Sequence, residues 1–135
     1  MRYYWLSLLS GCAWAAIALL LASGPLGEIV IGGLVAAPFI GLLVGLLSRP
    51  AYRLPKAAQA FGALLTLYLA VALFGLAVGA YDAFWRDIPN RITSAVILQG
   101  MWAALWGVTF GGYVLLLWPL AIYNHRLLDS RGRAA

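Results

Sequence analysis

The side chains able to do chemistry in this chain are few: one histidine, His125, one cysteine, Cys12, and four carboxylates, Glu28, Asp82, Asp87 and Asp129. A single cysteine excludes an internal disulfide, a dithiol redox pair and a thiolate-rich metal site. Inside a long apolar run, Cys12 reads as a small packing residue. His125 stands between Asn124 and Arg126 at the end of another apolar run, where it reads as an interfacial residue favoured at a helix C-terminus. Its other chemistry would be axial ligation of a haem or chlorophyll-like pigment shared with a neighbouring chain. One histidine cannot form a bis-histidine site alone, and Met1 and Met101 are poorly placed by depth. No cofactor or metal is expected from this chain by itself.

The carboxylates point away from ion coupling. Ionisable groups deep in a membrane are functional by default, because their transfer is costly unless they are used or paired. Here Glu28, Asp82 and Asp87 fall at the ends of apolar runs and Asp129 lies in the tail beside Arg126, Arg131 and Arg133. Proton-coupled transport through a buried acid therefore has little support. Small multidrug carriers match this chain in size and span number alone, since they depend on a Glu in their first helix and this first run has none. Ser7 and Ser10 have no His or Lys partner in their own run, which leaves nucleophilic hydrolysis without a base.

The elements that must carry these residues follow from composition. The 135 residues are 64% hydrophobic and 10% charged, against roughly 25% charged in an average soluble domain. Between charges lie four uncharged runs, 5–23, 29–48, 57–81 and 92–124, each meeting the requirement of about 20 residues to cross a bilayer core. The sequence predicts a single-domain (1–135), all-α integral membrane protein: a four-transmembrane-helix antiparallel bundle with helices about 5–23, 29–48, 57–81 and 93–124. The first run resembles a signal peptide after Arg2, but its small-residue cleavage pattern is poor, so it is expected to be a retained helix. The last run is too long for one perpendicular crossing, reaching about 50 Å at helical rise. Pro119 and the pair Gly111 and Gly112 are where it would bend most easily.

Orientation follows from the cations. Arg2, then Arg49, Arg53 and Lys56, then Arg126, Arg131 and Arg133 fall on one face, leaving Arg86 and Arg91 on the other with Glu28, Asp82 and Asp87. Basic residues in short loops stay cytoplasmic, so both termini are expected there, plausibly in a bacterial inner membrane. Arg49, Arg53 and Lys56 are expected to touch lipid headgroups, which explains the +5 formal charge without nucleic acid. The loop 24–28 is expected to reverse the chain, and Asp82 with Arg86 to start an interfacial turn ending at Pro89 and Asn90.

Membrane helices associate where small residues let backbones approach. Gly33, Ala37, Gly41 and Gly45 repeat at every fourth position, Gly75 pairs with Gly79, and Gly100, Ala104, Gly107 and Gly111 fall on one side of the last helix. Trp102, Trp106, Thr109 and Tyr113 fall on the other side. That aromatic face meets lipid, or else, together with His125, docks a partner or planar cofactor. Gln59 and Gln99 are expensive in lipid, and with Thr109 they are the candidates for lining a pore. These features favour a non-enzymatic membrane subunit, an accessory or assembly component that packs against other membrane chains or itself. A small homo-oligomeric channel or carrier is the second reading. A lipid-modifying enzyme using Asp82, Asp87 and Arg91 is the third.

Overall fold

A computed structural model describes residues 2–21, 27–85 and 92–132, the side chains at 19, 21, 27–30, 52 and 130–132 excepted. Those residues are all-helical: α1 (Arg2–Leu21), α2 (Gly27–Ser48), a 3-10 turn (Arg49–Arg53), α3 (Lys56–Trp85), α4 (Thr93–Phe110) and α5 (Tyr113–Gly132). Among the described residues, three stretches are long and apolar enough to cross a membrane: Ile31–Ala51, Lys56–Trp85 and Thr93–Phe110. Residues 24–26 of the expected reversing loop and residues 86–91, with Asp87 and Arg91, lie outside the described residues, while Gly27 and Glu28 begin α2.

Helices α1, α2 and α3 start and end within a few residues of the expected limits. The single helix expected over 93–124 is instead two. Gly112 takes a φ of 75°, a left-handed conformation that only glycine adopts without strain. The preceding Gly111 closes α4 by donating its N–H to the Gly107 carbonyl at 2.9 Å. Pro119 lies inside α5 and Pro38 inside α2, and neither ends its helix. A proline removes one hydrogen bond but keeps helical φ, whereas a positive φ takes the backbone out of the helical path. The glycine pair is therefore where the chain departs from one rod.

Helix α3 is the centre of the bundle, packing on α2, α4 and α5, while α1 packs on α2 and more lightly on α5. The α3–α4 contact is made through backbone: a Cβ added at Gly75 would lie 2.7 Å from the Gly100 carbonyl oxygen, and one at Gly79 would lie 2.6 Å from that of Ile97. On α2, a Cβ added at Gly41 would come within 2.6 Å of Gly11 Cα. Side chains of α5 fill the space between α1 and α3, where Leu117 and Ala121 join Ala63 and Leu67 in the core beside Trp14 and Ile17. Helices α1 and α4 make no substantial contact. On the side where α1 comes round toward α3, α5 makes the contact with both helices and α4 packs substantially only on α3 and α5.

Candidate functional site

A cavity of about 460 Å³ is bounded by all five helices, among them α1 and α4, which make no substantial contact with each other. Its space comes from the residue types that line it: Gly11, Ala18, Ala37, Gly41, Ala70, Ala104 and Gly107 offer no side chain beyond Cβ. A Cβ added at Gly107 would meet nothing within 4 Å. The wall between them is apolar, from Trp14 and Ile17 on α1 through Val71 and Phe74 on α3 to Val108 on α4.

Several polar groups gather at the end of the cavity marked by Ser48 and Asn124, while Tyr113 lies at the other end of the α5 lining. Asn124 Nδ2 on α5 donates to Ser10 Oγ on α1 at 2.8 Å, and both residues line the cavity with His125 and Ser48. The Ser48 hydroxyl donates to the Val44 carbonyl at 2.6 Å, the backbond that Ser often makes within an apolar helix. Beside this group the Tyr3 hydroxyl donates to the Gly45 carbonyl. Ser7 Oγ is buried without a partner among the described residues. The Arg49 guanidinium stands 4.6 Å from the Tyr3 ring centre and 5.1 Å from that of Tyr4, a cation–π arrangement that ties the start of α1 to the end of α2. The chemistry available at this end is hydrogen bonding by hydroxyl, amide and imidazole, with a cation next to it.

His125 is 5% exposed and departs from its expected place at a helix terminus, because α5 continues to Gly132. Burial lowers its pKa from 6.5, opposed by the negative charge of Asp129, which raises it. Cys12, expected to pack, is exposed, because α1 turns its Gly11 and Ala15 side toward the bundle.

The other expected site residues separate into three groups. Gly33, Ala37, Gly41 and Gly45 face neighbouring helices: Gly33 meets the Phe74 ring, Ala37 and Gly41 meet Gly11, and Gly45 meets Ser7. Gly100 and Ala104 lie against Gly75 and Gly79, whereas Gly107 faces the cavity and Gly111 caps α4. Trp102 and Trp106 are 55% and 57% exposed, and Trp106 stacks on Phe110 at 4.5 Å. The break takes Tyr113 off that helix and places it at the cavity lining.

None of the three pore candidates lines the cavity. Gln59 is buried and donates to the Leu54 carbonyl at 3.1 Å, holding the start of α3 to the turn before it. Gln99 is exposed, and Thr109 shares a 3.0 Å hydrogen bond with Tyr68. Of the basic residues between α2 and α3 expected at lipid headgroups, Arg53 and Lys56 are exposed and Arg49 is held by the rings of Tyr3 and Tyr4.

The cavity and the Ser10–Asn124 pair were invisible to sequence reasoning. A Ser in the first apolar run and an Asn at the end of the last are each ordinary alone. The available signal was an Asn at the edge of an apolar run, which needs a partner when buried. No family model, no curated protein and no solved structure matches this chain.

Proposed function

We propose that the chain is a non-enzymatic integral membrane component with four crossings, α4 and α5 as far as Asn124 making the fourth, and with both termini cytoplasmic in a bacterial-type inner membrane. It acts as an accessory or assembly subunit that packs against other membrane chains. The observation that carries this reading is the position of α4. One side of that helix is locked to α3 through Gly75, Gly79 and Gly100, its contact with α1 is not substantial, and Trp102, Trp106 and Phe110 stand more than half exposed on it. Large rigid rings supply contact area at low entropic cost, which is why Trp is enriched where chains meet. The segregation of Arg and Lys in the sequence supports the orientation.

Native mass spectrometry of the gently solubilised complex tests the proposal. Additional protein chains that dissociate in Trp102→Ala/Trp106→Ala, while helicity and insertion are retained, would support it. A monomer carrying only lipid would overturn it.

A second reading, a homo-oligomeric channel, is favoured by one observation: Gln99 and Thr109 are exposed on α4 with Trp102 and Trp106, spaced so that a symmetric contact through this helix would bring copies of both residues together. Flux in reconstituted vesicles that is unchanged by Gln99→Leu would remove that reading.

A further inference from the structure

The subunit reading leaves the cavity between α1 and α4 unused, and the cavity supports a separate inference. We propose that it binds one aliphatic chain of an anionic membrane amphiphile, which enters sideways between α1 and α4. The headgroup comes to rest at the end marked by Ser10, Ser48 and Asn124.

Four observations carry this. The first is size and lining: about 460 Å³ lies in the range of small-ligand sites, and an almost wholly apolar wall with a few convergent polar groups is the usual character of such sites. The second is that space of this size in a packed interior is costly if empty. Water is a poor occupant along Ile17, Val71 and Val108, where it would find too few polar partners. At membrane depth the surrounding solvent is itself aliphatic, and the lack of substantial contact between α1 and α4 offers it a lateral entrance.

The third observation is shape. Along α2 the lining runs from Ala37 to Ser48, about 16 Å at helical rise, which suits an elongated occupant. The fourth is charge. The polar end abuts the turn that begins with Arg49 and carries Arg53, and Arg49 is fixed in place by Tyr3 and Tyr4. Lys56, three residues beyond that turn, and Arg126, next to the lining residue His125, are also exposed, against one described carboxylate nearby in sequence, Asp129. That balance selects an anionic headgroup over a neutral one.

The test uses the full chain reconstituted in phosphatidylcholine vesicles, with palmitic acid bearing a mid-chain diazirine as the probe. After photolysis, labelled peptides are mapped by mass spectrometry. Labelling of Ile17, Val71 and Val108 should exceed that of the outward residues Phe61 and Leu65 about tenfold, the ratio expected for a site with about 1.4 kcal/mol of preference. Gly107→Phe, whose side chain would grow into the open cavity, should bring the two sets of residues level. Ala103→Leu, a smaller plug at another lining position, should reduce the excess in part and guards against a folding defect in the first variant.

Chase with unlabelled lipid separates the sources of the chain. Displacement by palmitate alone indicates a free single-chain acid, and displacement by phosphatidylglycerol indicates an anionic bilayer lipid; either supports the site. Displacement by hexadecanol as effective as by palmitate, and unaffected by Arg49→Gln, would overturn the anionic headgroup. Equal labelling of cavity and outward residues in the unmodified chain, or an excess that survives both plugs, would overturn the site itself. The subunit reading stands or falls separately on the tryptophan variants.

Discussion

Asn124 donates a 2.8 Å hydrogen bond to Ser10 across 114 positions of sequence, joining the first helix to the last beside the cavity. It joins α1 to α5 alongside the packing of Trp14 and Ile17 on the core that holds Leu117 and Ala121. Hydrogen bonds between helices in membranes are each worth about 0.6 kcal/mol on average and rarely more than about 1.7. Asn124→Ala and Ser10→Ala should therefore each destabilise the fold by about 1 kcal/mol, and the double variant by little more than either one. A double-mutant cycle of unfolding in mixed micelles measures this coupling; strictly additive losses would show that the bond contributes nothing.

The glycines of α4 are not equivalent. A Cβ at Gly100 would lie 2.5 Å from the Gly75 carbonyl oxygen, whereas one at Gly107 would meet nothing. Gly100→Leu should force α3 and α4 apart and cost about 3 kcal/mol or more, an overpacking penalty at the top of the usual range. Gly107→Leu should stay within about 0.5 kcal/mol of the parent, as substitutions into open space do. Thermal unfolding of the two variants in one detergent compares them directly, and equal losses would contradict the arrangement of α4.

Gly112 holds a φ of 75°, so an alanine there meets the strain that keeps L-residues out of the left-handed region. Gly112→Ala should cost about 1 kcal/mol. Gly111→Ala should also be unfavourable, because its Cβ would press on the Tyr113 ring at 2.9 Å. Pro119→Ala should be neutral or slightly stabilising, since α5 runs through that position and regains a backbone donor. Stability measured across the three variants locates the break. A large loss at Pro119 with none at Gly112 would place it elsewhere.

His125 sits past the last residue of the proposed fourth crossing, and burial lowers its pKa from 6.5. A lowered folded-state pKa means that the unfolded chain binds the proton more tightly. Stability from this residue is thus fully present above about pH 6.5 and declines as pH falls below that value toward the folded-state pKa. His125→Gln should flatten the unfolding midpoint over that window while leaving the decline from carboxylate protonation at lower pH. A profile identical in both proteins would show that the imidazole is not buried as the structure has it.

Much of this molecule is a consequence of one-dimensional properties. Apolar runs long enough to cross a bilayer must satisfy their own backbone hydrogen bonds, which makes them helices wherever they end up. The limits of α1, α2 and α3 follow from charges and prolines a few residues away. The same local reasoning narrowed the bend in the last run to Gly111 and Gly112 or Pro119, but could not choose, because a proline is tolerated where neighbours compensate and a glycine break forms only where the fold demands a change of direction. Small-residue spacing likewise marked Gly75, Gly79 and Gly100 as smooth without saying what they touch.

What only the tertiary structure decided are the relationships that need two helices at once. The offset at Gly112 slides α5 between α1 and α3, and this one displacement has several results: Tyr113 leaves the tryptophan-bearing helix, Asn124 reaches Ser10, His125 is buried, and α1 and α4 are left apart around a cavity. Apolarity, charge and helical period are summed along the chain and can be read there. The depth and rotation at which two helices meet depend on every contact between them, so the pairing of Ser10 with Asn124 and the space beside Gly107 exist only after the bundle is assembled.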